Sequence, residues 1–120
     1  STAAIYTRRF AKILLGKKMP EDVMVLNVNV PSDATPETGW RITRLSRHPY
    51  FIGYLKEVNS PVAKYVVDAH PDPHPDDLAD SSTDAGTLKK DRMISVTPLS
   101  LDMTSRVDLK ELQQHFGELD

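Results

Sequence analysis

The first segment repeats large apolar residues at three- and four-residue intervals, which is typical of a helix with one buried face. That face carries Tyr6, Phe10, Ile13 and Leu14. Ser1 or Thr2 is suited to cap the start of this helix, and Gly16 is placed to end it. We interpret the intervening basic residues as a solvated face, with a phosphate-binding edge as the alternative.

The segment 23–30 begins as a continuous apolar run and then alternates, which predicts a strand that is buried at first and more polar at its end. Its apolar side carries Leu26, Val28 and Val30. Asn27 and Asn29 fall on the other side. Because ligands bind beyond the carboxyl ends of strands in open α/β sheets, the two asparagines are candidates for lining a substrate cleft. The alternative is that their amides hydrogen-bond loop backbone and fix the exit of the chain.

Two short segments contain a proline that cannot donate to a β-ladder, and this predicts that each strand stops there. They are 26–31, Leu-Asn-Val-Asn-Val-Pro, and 94–99, Ile-Ser-Val-Thr-Pro-Leu. Thr83 and Asp84 precede the second segment and are suited to start a short helix that ends near Asp91.

A further alternating run, 40–47, predicts a strand whose polar side carries Arg41, Arg44 and Arg47. Guanidinium groups can hold a phosphate through paired hydrogen bonds, so Arg44 is a candidate for the substrate cleft. Salt bridges and a solvated face are the alternatives for these arginines.

Residues 50–69 contain two aromatic and β-branched runs on either side of Asn59-Ser60-Pro61, which predicts a β-hairpin. An isolated hairpin is marginally stable in water, so one this apolar is expected to pack on its own domain or on another subunit. We therefore treat it as a candidate oligomerisation element. Its candidate contact residues are Tyr50, Phe51, Ile52, Tyr54, Tyr65 and Val67.

Residues 70–82 are rich in proline and aspartate and are predicted to form a loop. Side chains suited to zinc or manganese occur here at His70, Asp72, His74 and Asp76. The two histidines have helical spacing, but the alternating prolines favour an extended conformation that would separate them. We therefore prefer a loop to a metal site.

The last segment returns to helical spacing, with an apolar stripe formed by Leu109, Leu112 and Phe116. Ser105, with Asp108 three residues later, has the character of a capping box. Gly117 is placed to end this helix.

Composition limits the function only loosely. The 120 residues fit a single domain or part of one, with 39% hydrophobic and 27% charged residues. The net charge of −2 gives no electrostatic basis for binding a nucleic acid duplex, and no apolar run approaches the roughly 20 residues of a membrane span. The chain start lacks the pattern of a signal peptide and the sequence has no cysteine, so we expect a cytoplasmic protein.

Taken in order, these motifs resemble the C-terminal half of the SurE family of metal-dependent phosphatases. The matching segments are Leu26 to Pro31, Arg41 to Leu45, Thr83-Asp84, and Ser95 to Leu99 with Asp102. The chain departs from the family pattern at Arg92-Met93, where glycine and an aromatic residue are usual, and at Arg106, where histidine is common.

The resemblance implies a Rossmann-like α/β core with a protruding β-hairpin and a C-terminal helix that are exchanged within a homodimer or homotetramer. It implies hydrolysis of nucleoside monophosphates with the help of Mg²⁺ or Mn²⁺. The family holds this metal with two adjacent aspartates, a serine and an asparagine. No match for these ligands occurs in the chain, so they are expected upstream of Ser1, and the chain alone is predicted to be inactive.

Two other functions stay open at this point. One is a non-catalytic interaction domain that oligomerises through the hairpin. The other is a small metalloenzyme that uses the histidines and aspartates of segment 70–76.

Overall fold

Residues 1–117, described by a computed structural model, form a mixed three-stranded sheet, a separate two-stranded sheet and three α-helices. The helices are α1 (Thr2–Gly16), α2 (Pro75–Ala79) and α3 (Leu109–Phe116), and a π-helix spans Gly86–Lys90. The strands are β1 (Val25–Asn29), β2 (Trp40–Ile42), β3 (Phe51–Glu57), β4 (Tyr65–Pro71) and β5 (Ile94–Leu99).

The three-stranded sheet has β5 at its centre, antiparallel to β1 and parallel to β2. The prediction that Pro98 ends this strand is wrong, since β5 continues to Leu99. Strand β2 stops at Ile42, opposite Val96, and the Val96 carbonyl already accepts from the Thr43 backbone N–H. The nitrogen of Pro98 faces the side of β5 on which β2 lies, but it is beyond the end of β2. Its missing N–H therefore removes no hydrogen bond between the strands.

The apolar face of this sheet packs against α1. Tyr6 and Phe10 are buried on Ile94 and Val96, with Leu26, Val28 and Val30 partly buried around them. The predicted side assignment in β1 is thereby confirmed. The predicted helix face is only partly buried, because Ile13 is 41% and Leu14 38% exposed. Of the two possible capping residues, Ser1 is the one whose hydroxyl accepts from Ala4 N.

The opposite face of the sheet is polar and nevertheless buried. Thr43, Ser95 and Thr97 are each at most 5% exposed. The Thr43 hydroxyl bonds that of Ser95 at 3.0 Å and that of Thr97 at 2.7 Å, so each buried hydroxyl has a partner. Because unpaired buried hydroxyls are costly, this cluster requires the strands to hold their observed register.

The chain between α2 and the π-helix closes on itself through Thr83 and Gly86. The Thr83 hydroxyl shares its one proton between the carbonyls of Asp77 and Asp80, at 2.7 and 2.8 Å, and accepts from Gly86 N. A side chain at Gly86 would meet those same two carbonyls, the Asp77 oxygen at 2.8 Å. The short helix predicted to follow Thr83-Asp84 and to end near Asp91 is a π-helix that ends at Lys90.

The loop predicted for 70–82 contains the short helix α2. Pro75 occupies its first position, where a proline costs no hydrogen bond, and the His74 side chain caps it by accepting from Asp76 N. The loop prediction is therefore wrong for 75–79, where Pro75 begins a helix instead of interrupting one.

Strands β3 and β4 pair antiparallel from Phe51 opposite Pro71 to Glu57 opposite Tyr65. All of β3 is exposed. Since side chains alternate across a strand, the pair presents two different faces. One face is almost wholly apolar and carries Phe51, Gly53, Leu55, Tyr65, Val67 and Ala69, whereas the other mixes apolar, charged and polar side chains.

Helix α3 begins differently from the prediction. Its cap is Asp108, whose carboxylate accepts from the backbone N–H of Lys110 and Glu111, so the predicted capping by Ser105 is wrong. Gly117 follows the helix with a positive φ of 69°, as a terminating glycine does. The apolar stripe of α3 is exposed, with Phe116 70% accessible.

Arg92 has a φ of 54°, in the left-handed region that favours glycine. The glycine that the resemblance implies at this position would adopt this φ without strain. In this chain the Arg92 guanidinium pairs with the carboxylate of Asp33, which holds the residue in place.

We expect Gly86→Ala to lower the free energy of unfolding by about 1–3 kcal/mol, because the added carbon must displace backbone carbonyls rather than a flexible side chain. Urea unfolding measures this change. Gly16→Ala is the matched control, since nothing lies within 4 Å of its added carbon, and it should be neutral or slightly stabilising. Equal effects of the two substitutions would contradict the close packing at Gly86.

Candidate functional site

The strongest candidate site is a cavity of about 320 Å³ between the polar side of β1, the start of β3 and the start of the π-helix. We call it the Asn27–Asp84 cleft. Its lining residues are Asn27, Asn29, Ser46, Tyr50, Phe51, Asp84, Ala85 and Leu88. Two amides, a hydroxyl and a carboxylate therefore share one cavity with two aromatic rings.

Asn27 and Asn29 reach the cleft because they alternate with the apolar residues that pack on α1. Both are partly buried. Parallel strands share a carboxyl edge at which ligands bind, but β1 is antiparallel to β5, and Asn29 pairs with Ser95 near the amino end of that strand. The two amides thus line a cavity on one face of the sheet, not at a shared carboxyl edge.

Asp84 is held in the cleft by three donors that converge on one carboxylate oxygen. Its Oδ1 accepts from Ser46 N at 2.8 Å, from Ser46 Oγ at 2.6 Å and from Ala85 N at 2.8 Å. The Asp84 backbone N–H in turn donates to the Arg44 carbonyl. This network fixes the carboxylate and ties the chain after β2 to the chain before the π-helix.

The aromatic side of the cleft comes from the start of the β3–β4 pair. The rings of Tyr50 and Phe51 meet edge to face, with centroids 4.9 Å apart. Lys89 places its Nζ 5.6 Å from the centre of the Tyr50 ring. Phe51 is 61% exposed, so much of its ring is available for contact.

The predicted arginines lie elsewhere. Arg41 donates to Asp91 at 2.5 Å and to the carbonyl of Ser81 at 2.9 Å. Arg44 donates to Asp80 at 2.5 Å and to Ser82 Oγ at 3.1 Å. Both guanidinium groups thus brace the segment that covers the polar face of the sheet, and Arg44 is not among the residues that line the cleft.

These contacts lower carboxylate pKa values. Hydrogen bonds from the side chain and backbone of Ser82, followed by that from Arg44, lower the pKa of Asp80 to about 2. The hydrogen bond from Arg41 holds the pKa of Asp91 below its ordinary value. Both aspartates therefore stay ionised at neutral pH and act as fixed partners for the two arginines.

The histidines of the 70–82 stretch do not come together. His70 lies on β4, with its ring 5.4 Å from that of Tyr54, whereas His74 stacks on His48 at 3.8 Å. Within residues 1–117 no three histidine or acidic side chains are grouped so as to hold a metal ion. The metalloenzyme interpretation of this stretch therefore has no geometric support.

The adjacent pair Asp76 and Asp77 also does not fit a metal. Asp77 is 7% exposed and its Oδ2 accepts from the backbone N–H of His48 and bonds the ring Nδ1 of His48, at 3.2 and 3.1 Å. Burial acts to raise the pKa of Asp77, but these hydrogen bonds outweigh it and leave the pKa lowered. The Asp76 side chain is instead 83% exposed, so the two carboxylates lie in different environments.

Ser46, Asp84 and Leu88 are cleft residues that the sequence did not identify as such. Asp84 belongs to the Thr83-Asp84 motif, and this motif could have indicated it as a cleft residue. No sequence pattern marks Ser46 or Leu88 as a cleft residue, because only the fold brings them close to Asn27.

Comparison with known proteins gives a consistent result. No family model matches the chain. The chain is similar to proteins named 5'-nucleotidase SurE from Thermococcus gammatolerans (40% identity over 98% of this chain), Thermococcus kodakarensis (38% over 95%) and Methanocaldococcus jannaschii (36% over 94%). It spans less than half the length of these curated relatives, 44%, 43% and 40% respectively.

A solved structure shares the fold. The crystal structure of the SurE protein from Aquifex aeolicus superposes with a TM-score of 0.60 over 96% of this chain and 45% of its own, at 24% sequence identity. Separately, no helix within residues 1–117 has both the length and the apolar character that crossing a membrane requires.

The depressed pKa of Asp80 predicts an acid-sensitive contribution to stability. A carboxylate whose pKa is lower in the folded state stabilises the fold above its unfolded value of about 3.9, and this contribution disappears as the pH falls through about 2. Wild type should therefore exceed Asp80→Asn in melting temperature at pH 6, and the difference should shrink between pH 4 and pH 2.

Arg44→Leu should reduce this pH-dependent difference, because it removes one of the donors to Asp80. Arg47→Leu is the control, since Arg47 is exposed on the same segment. A difference between wild type and Asp80→Asn that stays constant from pH 6 to pH 2 would show that Asp80 is not stabilised in this way.

Proposed function

We propose that this chain, which belongs to the SurE family as the counterpart of its C-terminal half, forms part of a phosphatase that hydrolyses nucleoside monophosphates. The observation that carries the proposal is the match of 98% of this chain, at 40% identity, to a protein named 5'-nucleotidase SurE. In the intact protein the chain would supply one wall of the substrate site and the elements of assembly.

The position of the cleft supports this proposal. Two of the segments that carry the family resemblance contribute lining residues to the cleft, namely β1 and the Thr83-Asp84 motif. Asn27 and Asp84 line the cavity itself, and β5 positions both through its pairing with β1 and its contact with the π-helix. A cavity with several converging polar groups, lined in part by these segments, is the expected place for substrate contacts.

The residues that line the cleft do not fit the metal that the family implies. A hard divalent cation needs a cluster of oxygen ligands, usually with more than one carboxylate. The cleft offers one carboxylate, whose Oδ1 already accepts three hydrogen bonds. We therefore assign the Mg²⁺ or Mn²⁺ ligands to residues outside this chain, and Asn27, Asn29 and Asp84 to substrate contact.

The assembly proposed for the intact protein is a homodimer or homotetramer in the cytoplasm. The apolar face of the β3–β4 pair supports it, since Leu55 is 71% and Val67 80% exposed. Large exposed apolar side chains grouped on one face are typical of interaction surfaces. The earlier candidates Phe51, Tyr65 and Val67 lie on this face, whereas Ile52 and Tyr54 lie on the mixed one.

The same surface supports a second candidate function. A domain that assembles through the β3–β4 pair and performs no catalysis would also expose an apolar face of this kind. This alternative accounts for the exposed Leu55 and Val67 but gives no role to the polar cleft.

We expect phosphate release from nucleoside monophosphates by a protein extended upstream to the length of the relatives, in the presence of Mg²⁺ or Mn²⁺. The 120-residue chain should release none, because its described residues do not group into a metal site. Release is measured as inorganic phosphate over time, with EDTA as the control. Activity in the short chain would contradict this division of roles, and no activity in either protein would overturn the proposed function.

We expect the double substitution Leu55→Glu with Val67→Lys to shift the assembly toward smaller species in light scattering. These residues are direct cross-strand partners, so the opposite charges preserve the hairpin while they remove its apolar face. Lys56→Glu with Val66→Lys is the matched control on the other face. An unchanged mass for the first variant would refute an interface on the apolar face.

A further inference from the structure

The Asn27–Asp84 cleft has a chemistry that does not suit a phosphate group. None of its lining residues within 1–117 is a lysine, arginine or histidine, and one of them is the carboxylate of Asp84. Phosphate sites are built from cationic side chains, metal ions or converging backbone N–H groups. Lys89 lies at the Tyr50 ring, outside the lining residues. A nucleotide could therefore place only its uncharged part here.

The same lining does suit a flat, polar and uncharged group. Tyr50 and Phe51 supply aromatic surface on which a planar ring can stack. The amides of Asn27 and Asn29 can each donate and accept, as the edges of a nucleobase require. The volume of about 320 Å³ lies at the lower end of the range for small-molecule sites.

Asp84 adds a directed acceptor. Its three donors from Ser46 and Ala85 all use Oδ1, which leaves Oδ2 as the oxygen available to a ligand. A carboxylate fixed in this way accepts well from ribose hydroxyls or from ring and amino N–H groups. Because this network already fixes the carboxylate, less conformational entropy is lost when a ligand binds.

We propose that the Asn27–Asp84 cleft binds the nucleoside moiety of the substrate, with the base against Phe51 and Tyr50 and polar groups at Asp84 and the two asparagines. The phosphoryl group then lies outside the cleft, toward the metal ligands that we assign to residues outside this chain. This inference rests on the proposed function, to which it adds the part of the substrate that these residues recognise.

The first test is calorimetric binding of adenosine, with inorganic phosphate as the comparison ligand, to the 120-residue chain and to the extended protein without metal. Adenosine should bind both, and phosphate should not compete with it. Phe51→Leu should weaken adenosine binding by about tenfold, as expected for loss of one stacking contact. Tyr65→Leu is the matched control, since Tyr65 is an exposed aromatic residue on the same hairpin but outside the cleft.

Asp84→Asn should also weaken adenosine binding, while its amide oxygen can still accept from Ser46 and Ala85. Equal affinities for wild type, Phe51→Leu and Tyr65→Leu would overturn the inference. Binding that requires Mg²⁺ would also overturn it, because the cleft would then be a cation site.

A kinetic comparison separates this inference from the proposed function. In the extended protein, Phe51→Leu should lower the ratio of kcat/KM for adenosine monophosphate to that for glycerol phosphate by about tenfold, mainly through KM. If the variant hydrolyses both substrates and the ratio of the kcat/KM values is unchanged, the nucleoside site is contradicted. The proposed function would still stand. Adenosine binding without any hydrolysis would support the nucleoside site and reject the nucleotidase function.

Discussion

The burial of strand β5 is the constraint on which the rest of the structure depends. Residues Ile94–Thr97 are fully buried, although every second side chain among them carries a hydroxyl. Ile94 and Val96 are satisfied by packing under α1, whereas Ser95 and Thr97 need hydrogen-bond partners. Thr43 supplies both from the chain that follows β2. Among residues 1–117 no buried side-chain nitrogen or oxygen is left without a partner.

Covering the polar face of β5 also creates the cleft. The segment from α2 to the π-helix lies over this face and is held there by two arginine–aspartate pairs and by the close packing at Gly86. The same segment carries Asp84, which it delivers to the side of β1 that bears the asparagines. The backbone that follows Asp84 forms a π-helix, and irregular helices of this kind are frequent near functional sites.

The roles that we propose for this chain are recognition and assembly. Its polar groups converge on one cavity without a cationic side chain among the lining residues of 1–117, and its apolar surface is spread over the β3–β4 pair and α3. Phosphoryl transfer depends on stabilising negative charge, which the lining of this cavity cannot do. A role in binding the uncharged part of a nucleotide is therefore more consistent with the described residues than a role in the chemical step.

The amino-acid sequence by itself determined most of the segments that become strands and helices, because these follow from local spacing, but it placed α2 in a loop. The alternation of Leu26, Val28 and Val30 predicted their buried side, and the spacing of Tyr6 and Phe10 predicted the helix face that packs on it. Local rules were wrong at Pro75 and Pro98. A proline destabilises a helix or strand only where its missing N–H would have donated a hydrogen bond, and this depends on its position in the element. Only the tertiary structure decided that Arg44 pairs with Asp80 and that Asp84 joins Asn27, because these contacts join residues 36 apart and more. Their geometry is set by the register of β5 with its two neighbours, which no local pattern contains.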